Sequence, residues 1–524
     1  MMHKNDERGI ALVLALFLMS ALSVLGASLM FLSQTETYAS MNYRMMSQAR
    51  YAGEAGVQKA ANFLLDSTQY TIPTNGGADD LAFYDRTKSP VLCLSGCAAV
   101  GQPVVLSWDD ADANYPLPAV QAAFKAAAQG TLAAGDTDIT YNATATLIAM
   151  QSFTAYGGTL GVVQTWEITG TGGLTGSRNA TVEVEALVET PKVPANQYAA
   201  FATAPGCGAI TFQGNVTVDS YDSSAGTPAA TTEAAGGDVG TNGNLTISGS
   251  VAVQGNLYTP RTGVGSCVEG AITALTETGN ADVTGSIVQL PKSVVYPPPG
   301  FSVTPPTNVV TTDAAWWATA AVSGCSSLGL TAGTNCTLDL VAKTITVDGG
   351  GLDVTMPSVV VDVGTTIVFA GHNGAGNNVN INSLTGGGAV EIAANMTGPL
   401  DESVVLKVAG MNPDATEMVT PFDLSTMSWK QNSPAASYDA SALQIVYGGH
   451  ATISMQGGNS QSAATIYAPN ATFVLTGTQD LYGSILAASI NVNGNANIHY
   501  DRNLSSEFWV SGQPMVGTFT WNRF

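Results

Sequence analysis

The chain has 524 residues, enough for about three domains at roughly 100–200 residues each. Its net charge is −22 with only 17 Lys+Arg, and charged residues make up 11%, against roughly a quarter in ordinary domains. So acidic and cation-poor a surface repels phosphate backbones, which excludes nucleic acid as a main partner.

The first predicted element is a helix. Gly9 through Leu32 carry no charge and follow Glu7-Arg8 directly. At about 1.5 Å per residue that run reaches roughly 36 Å, enough to cross a bilayer core of about 30 Å. No small-residue cleavage site closes it, as one would in a secretory signal. Helical spacing continues instead through Tyr38, Met41, Met45, Ala49 and Ala52, so one long helix is expected over 10–67, apolar first and amphipathic later. Lys4 and Arg8 before the run agree with an N-terminus inside, although Asp6 and Glu7 cancel their charge.

Glu7-Arg8-Gly9-Ile10-Ala11-Leu12-Val13 resembles the opening of PilX-type minor pilins and is similar to that of the K-type tip pseudopilins of type II secretion. Further along, Ala49-Arg50-Tyr51-Ala52-Gly53-Glu54-Ala55-Gly56-Val57 resembles those families' AEAG stretch. The resemblance implies a leader, 1–9, cut by a prepilin peptidase between Gly9 and Ile10. It also implies an assembly face that includes Leu14, Met41, Met45, Ala49, Ala52 and Glu54. Pilins usually carry glutamate fifth after the cut, to pair with a neighbour's N-terminal amine; here that position is Leu14. A charge in hydrocarbon is costly unless paired. A subunit lacking this one is expected to start or cap a pilus instead of repeating along it. A plain, uncleaved membrane anchor is the alternative.

Residues 68–200 are expected to form an α+β pilin-like head. Val120 to Ala128 suit a short helix, Ile139–Met150 and Val162–Thr169 suit strands, and Ala180–Val188 alternates at period two. The glycine-rich run Gly170 to Asn179 reads as the turn of a hairpin, and 191–205 as a linker.

From Cys207 onward short β-type phrases recur, punctuated by Gly214-Asn215, Gly243-Asn244, Gly255-Asn256, Gly279-Asn280 and Gly494-Asn495. Corners at positive φ suit Gly and Asn, so 207–510 is expected to be a large all-β domain, a right-handed β-helix, with a β-sandwich as the alternative. Insertions are expected near 291–320, which is proline-rich at its start, and near 411–440. The stretch from Ala464-Thr-Ile-Tyr-Ala-Pro-Asn-Ala471 to His499-Tyr500-Asp501 resembles a β-helical module of unassigned role found behind PilX-type N-termini.

Six cysteines in an extracytoplasmic chain point to disulfides. Fifteen pairings are open, of which proximity favours Cys93–Cys97, Cys207–Cys267 and Cys325–Cys336. Candidate chemistry is thin. Asp110-Ala-Asp112-Ala-Asn114 opens like a calcium loop but has Tyr115 and Gln121 where glycine and glutamate belong. Asp219 and Asp222 are weak calcium candidates, with Asx-turn capping as the competing reading. His499 beside Asp501, and His450, have no marked nucleophile nearby, and no zinc-helix motif or P-loop occurs. Trp316-Trp317 can stack on a sugar or pack in a core.

No catalytic residue, cofactor or firm metal site emerges. The expected function is a structural minor pilin of a type IV pilus or related pseudopilus, at the initiating or tip position, displaying a large β-domain. The expected partners are minor and major pilins, the inner membrane before assembly, and the prepilin peptidase. The chain would sit in the inner membrane as a precursor, N-in and C-out, then in the pilus at the cell surface. A carbohydrate-binding adhesin is the alternative. A polysaccharide-active enzyme ranks last, because the repeats hold few Lys and Arg.

Overall fold

A computed structural model describes residues 7–66, 68–74, 79–134, 137–156, 160–174, 179–300, 303–349, 351–371, 377–393, 403–431, 438–456, 463–478, 480–512 and 514–522. Residues 1–6 of the leader, 175–178 of the expected turn, and 301–302 and 432–437 of the expected insertions lie outside the described residues. The chain forms one long N-terminal helix followed by a large, mostly β region. Contacts divide it into two units. The head comprises 1–152, 162–191 and 512–524, and the β-rich unit 153–161 and 192–511.

In the head, the helix Glu7–Leu65 precedes an antiparallel sheet. Its strands run in the order Val105–Ser107, Thr137–Thr154, Leu160–Leu174, Ala180–Glu189, Met515–Asn522, with Gln129–Ala134 paired to the second. The helix Pro118–Ala127 takes proline in its first turn, where no N–H is needed, and Phe124 meets Phe63 of the long helix edge-on at 5.3 Å. The hairpin expected around 170–179 exists, but its first strand continues to Leu174, pairing Gly170 with Val184 and Leu174 with Ala180. The sequence reading gave Gly170–Leu174 to the turn. Here these glycines belong to the sheet, for a reason that lies in the helix.

The last strand was not anticipated. Met515–Asn522 pairs antiparallel with Ala180–Glu189, so the β-rich unit is inserted in sequence between two neighbouring strands of the head. The expected linker 191–205 is likewise ordered. Lys192–Pro194 pairs antiparallel with Trp509–Ser511, and Ala200–Ala202 joins the main sheet.

That main sheet has 18 strands, and all its described pairings between named strands are parallel. Ile210–Val218 runs in register with Leu245–Val253, and Leu245–Gly249 with Leu275–Gly279. On its other side Ile210–Gly214 pairs with Ile490–Gly494, which leads on to Ala463–Gly477 and then Leu443–Tyr447, Val404–Val408 and Asn377–Gly386. The first strands of the unit therefore lie in the middle of the stack, between its second and last passes. A second, five-stranded sheet carries Cys336–Asp339, Thr344–Asp348, Thr366–Ala370, Ala389–Ala393 and Ser428–Gln431. Residues 411–440 were expected to be an insertion, yet Phe422–Leu424 and Ser428–Gln431 are strands of these sheets. Between them lies a continuous core in which Phe212, Ile247, Ile381, Ile445, Phe473 and Ile490 are fully buried.

This order explains the prolines. After Ile287–Gln289 at one edge, the chain resumes at Val309–Thr311, which pairs with Ser358–Val360 at the far edge. Residues 291–308 carry it across. Val294 N–H donates to Asn242 Oδ1 at 2.8 Å, Tyr296 stacks edge-on against Phe201 at 5.2 Å, and the Tyr467 hydroxyl donates to Pro297 O at 2.6 Å. Extended polyproline chain covers about 3.1 Å per residue, or about 56 Å here. The strand-to-strand path between the edges, at about 4.8 Å per step, comes to roughly 50 Å. Six of these eighteen residues are proline, so the crossing leaves a third fewer N–H groups to pair.

The six cysteines form three disulfides, Cys93–Cys97 in the head and Cys207–Cys267 and Cys325–Cys336 in the β-rich unit. The second ties the segment before Ile210 to the segment before Leu275, and the third ties the helix Ala314–Ser327 to the first strand of the five-stranded sheet.

Candidate functional site

At about 1.5 Å per residue the 59-residue helix is about 88 Å long, and it has two halves of different character. From Ile10 to Arg44 every residue is exposed, although most are apolar: Leu14 is 58% exposed, Phe17 74% and Phe31 70%. By length and composition this segment can cross a membrane. Five of its hydroxyls bond to the helix's own backbone. Ser20 donates to the carbonyl three residues back, and Ser23, Ser28, Thr35 and Thr37 to carbonyls four back, all at 2.8 Å. These five hydroxyls need no water, as hydrocarbon requires.

The second half packs on the head. Ala49, Ala52, Gly53, Gly56, Val57, Ala60, Ala61 and Leu64 are buried, a stripe at spacings of three and four. The AEAG stretch sits where the helix comes closest to the sheet. A Cβ on Gly56 would stand 2.8 Å from Asn142 O, and one on Gly53 3.0 Å from Val184 Cγ2. Across the seam, a Cβ on Gly172 would collide with the Ala49 carbonyl and Gly53 N–H, and one on Gly170 with the Gly53 carbonyl and Val57. Glycines on both surfaces let backbone rest on backbone. This is why Gly170–Leu174 is strand and not turn, and the link escapes a local reading because the partner lies more than a hundred residues away.

The assembly face expected from sequence is therefore divided. Leu14 and Met41 are exposed, Met45 is partly buried against the cluster of Ala52, Ile139 and Leu174, and Ala49 and Ala52 are wholly buried. These two alanines serve the chain's own sheet, which corrects their assignment to an assembly surface. Glu54 pairs with Arg50 at 3.0 Å, one turn earlier. Gly9 and Ile10 lie within the helix, with Ile10 65% exposed.

Below the helix, Tyr70 and Trp166 pack edge-on at 5.9 Å and both donate to Gln164 Oε1, at 2.9 and 3.2 Å. Asp79 accepts from the hydroxyls of Tyr84 and Tyr115. Burial pushes the Asp79 pKa up against those two hydrogen bonds.

The remaining sequence candidates are structural. Asp110 pairs with Lys125, and Asn114 ties Ala99, Gln102 and Pro103 together, so the calcium-like phrase is a strapped turn. Asp222 accepts from Ser224 and Ala225 in an Asx turn. Among the described residues no three His, Cys, Asp or Glu gather as a metal would need. Trp316 and Trp317 are partly buried and donate to Ser327 and Thr365. His450 is exposed and paired with Glu417 at 3.1 Å.

Asp219 turns instead to His499, whose Nδ1 is 2.5 Å away, while Asp480 stands 3.6 Å from Nε2 and Tyr482 stacks on the ring at 4.5 Å. Burial would lower the His499 pKa, but the two carboxylates overcome it and push it up to about 9, so the imidazolium is held between them. Nearby in sequence, burial pushes Asp501 up to about 6 despite N–H donors from Ser223, Ala440 and Asn503, and Glu507 up to about 7. The sequence reading paired His499 with Asp501; the ion partners are Asp219 and Asp480, brought in by parallel registry with Ile498–Asp501 and by the preceding strand turn.

Comparison with known proteins follows the same division. The PilX N-terminal family model matches residues 8–58, and a domain of unknown function, DUF7305, matches 365–507. No curated protein matches the chain. Among solved structures it is similar to the competence-associated pilin ComZ from Thermus thermophilus, at 14% identity and a TM-score of 0.26 over 91% of this chain and 97% of that one, a likeness too loose to constrain function. Residues 8–58 thus match the PilX N-terminal family, in a chain whose larger part is β-rich.

Proposed function

We propose that this chain is a minor pilin of a type IV pilus or a related pseudopilus. One observation carries the reading: a single helix whose first half is apolar and wholly exposed while its second half is sealed into its own head. Exposed apolar surface of that extent needs lipid before assembly and neighbouring helices after it. The precursor then spans the inner membrane, N-in and C-out, is cut by a prepilin peptidase between Gly9 and Ile10, and joins other minor and major pilins outside the cell. Its role is structural, without catalysis.

The β-rich unit is a right-handed β-helix, a reading supported by its parallel register and by glycines stacked at its corners. Inserted in the head, it would crowd neighbours along a shaft but has room at an end. Leu14, in the place of the usual glutamate, favours that end, because this subunit has no carboxylate to offer a neighbour's amine. Mass spectrometry of sheared pili is the test. A subunit beginning at Ile10 is expected in the pilus fraction at low stoichiometry. A protein that keeps its leader and never leaves the inner membrane would overturn the reading.

A further inference from the structure

The β-rich unit holds a second feature that membership of a pilus does not use. An open cleft of about 350 Å³ lies along one face of the parallel sheet, near the small end of the roughly 300–1,000 Å³ range of ligand sites. Its floor is built by registry. Asn378 lies beside Val405 and Val405 beside Gln444, while Lys407 lies beside Val446. Alternate residues of each strand point the same way, so these five side chains form one surface.

One wall comes from elsewhere in the chain and is braced. Tyr156 N–H donates to Trp509 O at 2.9 Å, its ring packs on Phe508 at 4.4 Å and Tyr467 at 4.9 Å, and its hydroxyl bonds Thr465 at 2.8 Å. The Trp509 backbone is fixed by antiparallel pairing with Pro194. The ring remains partly exposed, and its indole N–H makes no hydrogen bond among the described residues.

Asn378 donates to Asp353 and Gln444 to Ser441 O, but two of the polar groups are underused. Lys407 has no ion pair among the described residues. Glu507 spends Oε1 on Asn503 at 2.6 Å, while its buried Oε2 makes no well-formed hydrogen bond among the described residues. Buried acceptors left without donors are unusual and costly, unless something else supplies the donor.

We propose that this cleft binds an uncharged saccharide, one pyranose lying on Trp509 with its hydroxyls shared among Asn378, Lys407, Gln444 and Glu507. A pyranose has an apolar C–H face that suits the negative face of an indole. Its rim of hydroxyls both donates and accepts, matching a lining that mixes amides, one ammonium and one carboxylate. A polyanion is disfavoured, since one cation faces it on a chain of net charge −22. The site binds and does not cleave. Glu507 is the only carboxylate among the lining residues, and glycoside hydrolysis ordinarily needs two, spaced roughly 5–9.5 Å apart.

Titration calorimetry on the full chain in detergent micelles, with maltotetraose, cellotetraose and chitotetraose as probes, tests the site. At least one should bind with a millimolar or tighter constant. Trp509→Ala and Lys407→Ala should each weaken that binding by about tenfold, while Trp509→Phe retains most of it. Lys407 is at the surface, so its variant reads the site even if Trp509→Ala unfolds. Absence of heat from all three probes would overturn the proposal, as would unchanged binding in Lys407→Ala, or binding of polygalacturonate in their place. Pilus incorporation is measured separately, so a silent cleft in a normally assembled subunit condemns this inference and leaves the assembly reading intact.

Discussion

Both units depend on glycine, in ways that only partly overlap. In the head, Gly53, Gly56, Gly170 and Gly172 have ordinary backbone conformations, and what matters is the missing side chain, which lets a helix lie on a sheet. In the β-rich unit, Gly477, Gly494, Gly214, Gly249 and Gly279 stand beside one another across successive strands, all at positive φ, from +83° to +113°. There a conformational requirement is added to a steric one, since a Cβ on Gly214 would also collide with Gly494 O and one on Gly249 would stand 2.5 Å from Gly214 O. The first kind belongs to a unique contact between distant segments. The second is written into each pass separately, which is why it repeats in the sequence.

Charge divides the units as sharply, and pH should separate them most. Asp501, Glu507 and His499 all have folded values above their unfolded ones, at about 6, about 7 and about 9. The folded unit therefore holds protons that the unfolded chain would release. Their stabilisation is complete below pH 4 or so and is lost as pH rises through 6 to 9. Asp501 and His499 each account for something on the order of 3 kcal/mol, and the more open Glu507 for less. Hydrogen exchange followed peptide by peptide should show the β-rich unit loosening between pH 5 and pH 9 more than the head does. Equal loosening would mean that these groups are not held as described.

Reduction should also act unevenly. Cys207–Cys267 closes a separation of 60 residues and Cys93–Cys97 one of 4. By loop-closure entropy the first contributes about 4 kcal/mol and the second about 2. Replacing each pair with serine and following thermal unfolding checks the ratio. A larger effect from the short loop would shift the explanation from chain entropy to local packing.

Gly172→Ala should cost the head roughly 3 kcal/mol, because its Cβ meets helix backbone that cannot rotate away. Gly26→Ala, with nothing within 4 Å, should leave the head unchanged. Proteolysis near the head sheet reads both. If Gly172→Ala is silent, the helix does not rest on the sheet as closely as the seam requires.

Legibility followed the range of the interactions. The N-terminal helix and the AEAG phrase announce themselves because each is encoded within a few residues. So did much of the head, where Val162–Thr169 read as a strand and period-two alternation marked Ala180–Val188. Of the five expected Gly-Asn corners, Gly214, Gly279 and Gly494 stand at positive φ and Gly243 and Gly255 do not. The strand Met515–Asn522 was invisible because its partner lies across the entire inserted unit. Gly170 and Gly172 looked like turn residues because the helix that demands them is distant in sequence. The cleft had no signature at all: Tyr156, Asn378, Lys407, Gln444 and Trp509 come from five separate segments, and only strand registry gathers them.

The smallest expected effect concerns Glu54. Its pairing with Arg50 lies on an exposed helix surface, at a spacing of four and with Arg50 on the N-terminal side, the less favourable orientation. Such pairs contribute about 0.5 kcal/mol or less, so Glu54→Gln should barely alter the head's unfolding. Within one molecule the carboxylate has little to do, yet it stands near the point where the buried stripe gives way to the exposed half. If Glu54→Gln leaves stability intact but depletes the subunit from sheared pili, the carboxylate has a partner in a neighbouring subunit and the assembly face extends into the head. If incorporation is unchanged, that face ends before the stripe begins, and Leu14 and Met41 remain its side chains among those named from the sequence.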